Sequence, residues 1–282
     1  MKAKNPLVIL ITTVVLLGLV TPVSFGQGSA SISLGAMKET VELLPGESYS
    51  NSVEVTNEGS EPTKVTVSLQ DFTFGNGGGL GLLESGSVGE NSLAKFIEFS
   101  PAEFELQPGE SKSINYSFSI PEGNRLPHWA ALVVKQVQGV ESEGEADVGM
   151  QVNVGHKFAY AIVQYSGITQ QPEGKITELT AEASTDGENE GNVIDVRAIF
   201  KNTSETIVKY EGYLELRDSS GQSIEKYGLP HDRLILPEKE TAFTHRFEGS
   251  EIKPGQYLLI AVIDYGGQQK VGGQKMVTVG EG

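Results

Sequence analysis

Any chemistry in this chain must come from four histidines, 37 carboxylates and its hydroxyls, because there is no cysteine to act as a nucleophile. His128, His156, His231 and His245 are scattered and lack the close spacing of metal ligands. No G-x-S-x-G elbow is present to expose a serine. Carboxylates are plentiful, but no pair stands out as a glycosidase dyad. Asp186-Gly187-Glu188-Asn189-Glu190-Gly191-Asn192 has the look of a calcium loop. Arg197 falls where the closing acid belongs and no helical pattern flanks it, so it reads as a solvated turn. The glycine run from Gly75 to Gly81 lacks the Lys-Ser/Thr of a phosphate loop and reads as a hairpin tip, part of a flexible excursion reaching Asn91. Asn115-Tyr116-Ser117 and Asn202-Thr203-Ser204 fit glycosylation acceptors. These residues point away from an enzyme, and they call for no metal and no cofactor.

The pattern that does carry information is a row. From 148 to 162 the even positions are Val148, Met150, Val152, Val154, His156, Phe158, Tyr160 and Ile162, apolar except for His156. The odd positions begin small or polar: Gly149, Gln151, Asn153, Gly155 and Lys157. Successive side chains of a strand point to opposite faces, so the segment predicts a long strand with one apolar face. An acidic, glycine-containing stretch, Gly139 to Asp147, precedes it. Such a row fits a strand that fills its own core, and equally a strand that lends its edge to another protein.

The elements that would position this row are also strands. Val53 and Val55 alternate with polar residues, as do Val65, Val67 and Leu69, then Ile114, Tyr116, Phe118 and Ile120, then Ile194, Val196, Ala198 and Phe200. Turn residues separate them, among them Asn57-Glu58-Gly59-Ser60 and Asp218-Ser219-Ser220-Gly221. No helical stripe appears after the first twenty residues. Leu44-Pro45-Gly46-Glu47-Ser48 and Gln107-Pro108-Gly109-Glu110-Ser111 repeat one corner, with Ile252-Lys253-Pro254-Gly255-Gln256 as a looser copy. Proline second and glycine third fit a type II turn, where φ is positive. Trp129, the single tryptophan, is expected in a sandwich core. The fold class is therefore all-β, with two immunoglobulin-like β-sandwiches in tandem.

Lys2 and Lys4 precede an apolar run from Leu7 to Val20, closed by Pro22 and Ser24-Phe25-Gly26. This predicts a signal peptide over residues 1–26, removed to leave 256 residues. A breaker-rich stretch near 166–175 divides the remainder into domains 28–166 and 174–282. The formal charge is −16, and −18 without Lys2 and Lys4, which argues against nucleic acid or anionic lipid as partners. The expected setting is the periplasm or the extracellular cell envelope, with no membrane span in the mature chain.

Several segments together resemble the N-terminal domain of periplasmic pilus-assembly chaperones. They are Phe99-Ser100-Pro101 with Leu106-Gln107-Pro108-Gly109-Glu110, then Ile120-Pro121 with Asn124-Arg125-Leu126-Pro127, then Lys157-Phe158-Ala159-Tyr160, and Ser33-Leu34 with Lys38. The resemblance implies an immunoglobulin-like sandwich whose last strand donates apolar side chains to a secreted subunit. By position the donors are Val148, Met150, Val152 and Val154, and Lys38 and Lys157 are the anchors for the subunit's terminal carboxylate. Lysine stands at 38 where that family has arginine, and its Asp-Arg-Glu-Ser run is reduced to Asn124-Arg125. The order of domains also resembles the WxL-interacting surface proteins, although their membrane anchor and basic tail are missing from the sequence. The implied function is a non-enzymatic chaperone acting by strand donation. The alternative is a cell-surface module that binds wall polysaccharide or a protein partner.

Overall fold

The computed structural model describes residues 32–75, 78–137, 156–166, 171–186, 191–231 and 233–280. The expected signal peptide and the donor positions Val148, Met150, Val152 and Val154 lie outside them. Among the described residues, the first half contains β1 (Ile32–Leu34), β2 (Lys38–Leu43), β3 (Ser48–Asn57), β4 (Thr63–Phe74), β5 (Leu80–Leu83), β6 (Ile97–Ser100), β7 (Glu103–Leu106), β8 (Ser111–Ser119), β9 (His128–Val137) and β10 (Lys157–Ser166). They make two sheets, ordered β1-β3-β8-β6 and β2-β10-β9-β4, with β5 and β7 both pairing β4. That order is the immunoglobulin-like arrangement.

The alternating residues face inward between these sheets. Val53, Val55, Val65, Val67, Ile114, Tyr116, Phe118 and Ile120 are all buried in one cluster with Leu132, Tyr160 and Ile162. The Pro-Gly corners take the expected turn. Gly46 and Gly109 have φ of 88° and 76°, and Glu47 N–H and Glu110 N–H return to Leu44 O and Gln107 O at 3.1 and 2.9 Å. The glutamate of the phrase has its own job, since its carboxylate accepts the N–H of Leu44 or Gln107, each at 2.8 Å.

The second half contains β11 (Gly174–Asp186), β12 (Gly191–Asn202), β13 (Val208–Lys209), β14 (Glu211–Asp218), β15 (Ser223–Gly228), β16 (Leu234–Ile235), β17 (Glu240–Glu248), β18 (Gly255–Asp264) and β19 (Val271–Val279). Sheets β11-β12-β17 and β15-β14-β18-β19 form a second sandwich. Its core holds Ile194, Val196, Ala198 and Phe200 with Leu214, Leu216, Leu259 and Ile263.

Two expectations change. The described part of the excursion, residues 78–91, is not a loose loop. β5 pairs the end of β4, and buried Asp71 accepts Ser92 Oγ at 2.7 Å and Val88 N–H at 3.1 Å. Trp129 is buried, but outside the sandwich core. It joins Phe72, Ala131, Val133, Ala161 and Val163 with Ile207, Leu234 and Leu236 of the second half, in a third cluster between the sandwiches. Its indole N–H donates to Phe72 O at 2.9 Å. The sheet containing β9 and β10 is thus covered on both faces.

Candidate functional site

The chain changes sheets within its first twelve described residues. β1 pairs β3, from Ile32 opposite Asn57 to Leu34 opposite Val55. Gly35 N–H still donates to Glu54 O at 3.0 Å. β2 then joins the other sheet, parallel to β10, with Lys38 opposite Ala161 and Leu43 opposite Ser166. Coverage of β10 on this side therefore starts at Ala161, whose N–H donates to Met37 O at 2.9 Å. On its other side β10 pairs β9 from Lys157 onward.

Backbone groups alternate along a strand. Ala161 N–H points to β2, and His156 O accepts from Gln136 N–H on the β9 side. The groups of Lys157 and Ala159 then face the β2 side, where no described strand pairs them. Among the described residues, Lys157 to Tyr160 are paired by β9 alone, Ala161 to Gln164 lie between β9 and β2, and Tyr165 and Ser166 are paired by β2 alone.

Side-chain parity on β10 is clear. Phe158, Tyr160 and Ile162 face the first core, while Ala159, Ala161, Val163 and Tyr165 face the cluster between the sandwiches. The described part of the apolar row therefore fills its own core. Lys157 shares the odd parity and is exposed, as is His156.

Glu39 sits beside the point where coverage begins. The hydroxyls of Tyr49 on β3, Tyr116 on β8 and Tyr160 on β10 all donate to its carboxylate. Asn51 Nδ2 donates to both oxygens at 2.9 and 3.0 Å. Partial burial pushes the Glu39 carboxyl up, but the bonds from Tyr116, Tyr160, Tyr49 and Asn51 outweigh it and hold the group below the usual carboxylate range. Burial first, then the bond to Glu39, pushes Tyr116 and Tyr160 up, so both remain donors.

On the opposite face of β2, Lys38 and Thr40 line a cleft of about 420 Å³ between the sandwiches, with Lys209, Glu211, His231, Arg233 and Asp264 from the second half. Asp264 is paired with Lys270 at 3.0 Å. The Lys209 ammonium lies 5.2 Å from the ring centroid of Tyr165. The cleft thus holds more cationic than anionic side chains. Lys157 does not line it. It lies four positions before Ala161, about 13 Å along the strand.

His128 is a buried structural residue. Its Nδ1 donates to Gln164 Oε1 at 2.9 Å, and Asn124 Nδ2 donates to its Nε2 at 3.0 Å. Of the two glycosylation triplets, Asn202 is fully buried and its Nδ2 donates to Thr206 O, Ile235 O and Leu236 O, which removes it as an acceptor. Sequence reading missed Glu39, Lys209 and Arg233. No local pattern marks them, since their partners come from distant strands.

No family model and no curated protein matches this chain. The chain is similar to fimbrial chaperones of solved structure. The class 5 fimbriae chaperone CfaA is 12% identical, with 87% of this chain and 98% of that one covered and a TM-score of 0.41. The E. coli chaperone DraB is 12% identical over 89% and 97% of the two chains, with a TM-score of 0.40. The CsuC–CsuE chaperone–tip adhesion subunit complex of Acinetobacter baumannii is 13% identical over 89% and 99%, with a TM-score of 0.37. Overlaps this loose leave the functional reading to the chain's own geometry.

Proposed function

We propose that this is a secreted, non-enzymatic chaperone-like protein that binds an extended segment of a secreted subunit by strand addition to β10. The observation that supports this most is the edge at Lys157 to Tyr160, which no described strand pairs, next to the sheet switch between β1 and β2. An incoming strand gains backbone hydrogen bonds there, and alternate side chains supply specificity. The donors in this reading are Val148, Met150, Val152 and Val154, which continue the inward parity of Phe158 and Tyr160. Burying four such side chains contributes on the order of 6–12 kcal/mol before ordering costs. A segment running parallel to β10 in line with β2 ends its carboxylate near Lys38, at the mouth of the cationic cleft. Lys157 is then the second anchor, on the outward side of the open edge.

The test is co-expression with secreted proteins of the same organism, followed by purification of the complex. Met150→Asp places a charge on the donor row. Ala159→Pro removes an N–H that faces the open edge and takes no part in the β9 ladder, a position where proline is tolerated. Each is expected to lower recovery of the subunit about tenfold, with little change in thermal stability. Unchanged recovery in both would remove β10 from the mechanism. Retention on isolated cell wall without a subunit complex would favour a surface-binding module instead.

A further inference from the structure

We propose that Glu39 is a positioning residue that pins β2 against β10 and so sets where an incoming strand must stop. Its use rests on the strand-addition reading above, but the pinning itself is a property of the ladder. β2 is the terminal strand of its sheet and has six residues. Its second half is held by Val41 and Leu43, each buried in the core. The first half has no buried apolar side chain: Lys38 and Thr40 are exposed, and Met37 just before them is 56% exposed. The part-buried side chain in this half is Glu39, opposite Ile162, and donors on β3, β8 and β10 hold it. Both sheets of the sandwich are therefore tied to one carboxylate at the second rung of the β2–β10 ladder.

The consequence concerns register. With Glu39 bound, Ala161 and Val163 give their outward backbone groups to β2, and among the described residues of β10 Lys157 and Ala159 remain for a partner. With Glu39 released, the first half of β2 loses its side-chain tie to β3, β8 and β10, and the unpaired edge lengthens toward Val163. A partner strand could then slide by two residues, which preserves side-chain parity but moves its end away from Lys38.

Glu39→Gln tests this, read by amide hydrogen exchange resolved residue by residue. Ala161 and Val163 point to β2, while Ile162 and Gln164 point to β9. The expected result is at least about tenfold faster exchange at Ala161 and Val163, with Ile162 and Gln164 unchanged. Equal acceleration at all four, or none at Ala161 and Val163, would overturn the proposal. Tyr49→Phe removes one donor and leaves the others, so a smaller change of the same odd-only kind is expected even if the first variant folds poorly. A short synthetic peptide of alternating valine and threonine serves as a probe strand in a second arm. It is expected to protect Lys157 and Ala159 in the unaltered protein, and Ala161 as well in Glu39→Gln. Failure to protect any β10 amide would count against strand addition itself, while the odd-only signature without peptide still decides the role of Glu39.

Discussion

The last strands of the two sandwiches solve the same edge problem differently. β19 pairs β18 along its whole length and is the end of its sheet. The first strand of that sandwich, β11, stays with β12 from Gly174 to Asp186. It lies against β19, so that a Cβ on Gly273 would come 3.2 Å from Leu179 Cδ2. Gly272, Gly273 and Lys275 make β19 a poor template for another strand. β10 carries Phe158-Ala159-Tyr160-Ala161-Ile162-Val163, with strong strand formers at most positions and apolar surroundings on both faces. Among the described residues its edge is closed by β2 from Ala161 onward. The difference lies in the first strand of each sandwich: where it changes sheets, no described strand covers part of the last strand, and where it does not, the edge is screened.

The contrast extends to burial and can be broken most forcefully there. Val133 on β9 faces the cluster between the sandwiches and is 2% exposed. Ile260 on β18 occupies the outward register of a strand that alternates in the ordinary way. Val133→Asp buries an unpaired carboxylate and is expected to cost about 3–5 kcal/mol. Ile260→Thr should cost about 1 kcal/mol or less. Urea midpoints of the two variants measure the gap. Similar losses would mean that the outer face of β9 is not a true interior.

A second, smaller contrast is between histidines. Burial pushes His128 down, with the Gln164 hydrogen bond opposing it and Lys95 adding to it. Asn124 Nδ2 already donates to its Nε2, which leaves no acceptor for a second ring proton. The folded state therefore favours neutral His128, while the unfolded chain protonates near pH 6.5. The stabilisation is full above about pH 6.5 and is lost as pH falls below it, by at most about 1.4 kcal/mol per pH unit. Denaturation midpoints at about pH 7.5 and pH 5 should show this slope, and His128→Asn should flatten it.

These contrasts follow what the sequence does and does not reveal. Val53, Val55, Ile114, Phe118, Ile194 and Phe200 were legible as core residues because half-buried sheets write a period of two into the chain. The positive φ at Gly46 and Gly109 was legible from the Pro-Gly corner. β9 was harder, because burial on both faces erases the period, and Trp129 was therefore assigned to the wrong cluster. The packed β4–β5 hairpin was masked by its glycines. Glu39 was invisible: Lys38-Glu39-Thr40-Val41-Glu42 reads as an ordinary surface strand. Its hydroxyl donors sit 10, 77 and 121 residues away, and only the sheet switch brings them together.

The smallest contrast concerns the repeated corner. In the first sandwich Glu47 and Glu110 each close their turn by accepting the N–H three residues back. In the second, Gln256 stands at the matching place, and Lys253 N–H goes instead to the hydroxyl of Tyr257 at 2.7 Å. These bonds are charge-assisted in the first sandwich but solvent-exposed, so each should be worth only about 0.5–1 kcal/mol. Glu47→Ala and Glu110→Ala are therefore expected to lower stability by about that much apiece. The sites lie on different corners with no shared partner, so the two losses should add. Gln256→Ala should be neutral within about 0.5 kcal/mol, while Tyr257→Phe should show the loss that the glutamates show. If Gln256→Ala cost as much as Glu110→Ala, the third corner would be a true copy of the first two, and the likeness between the sandwiches would reach further than their edges suggest.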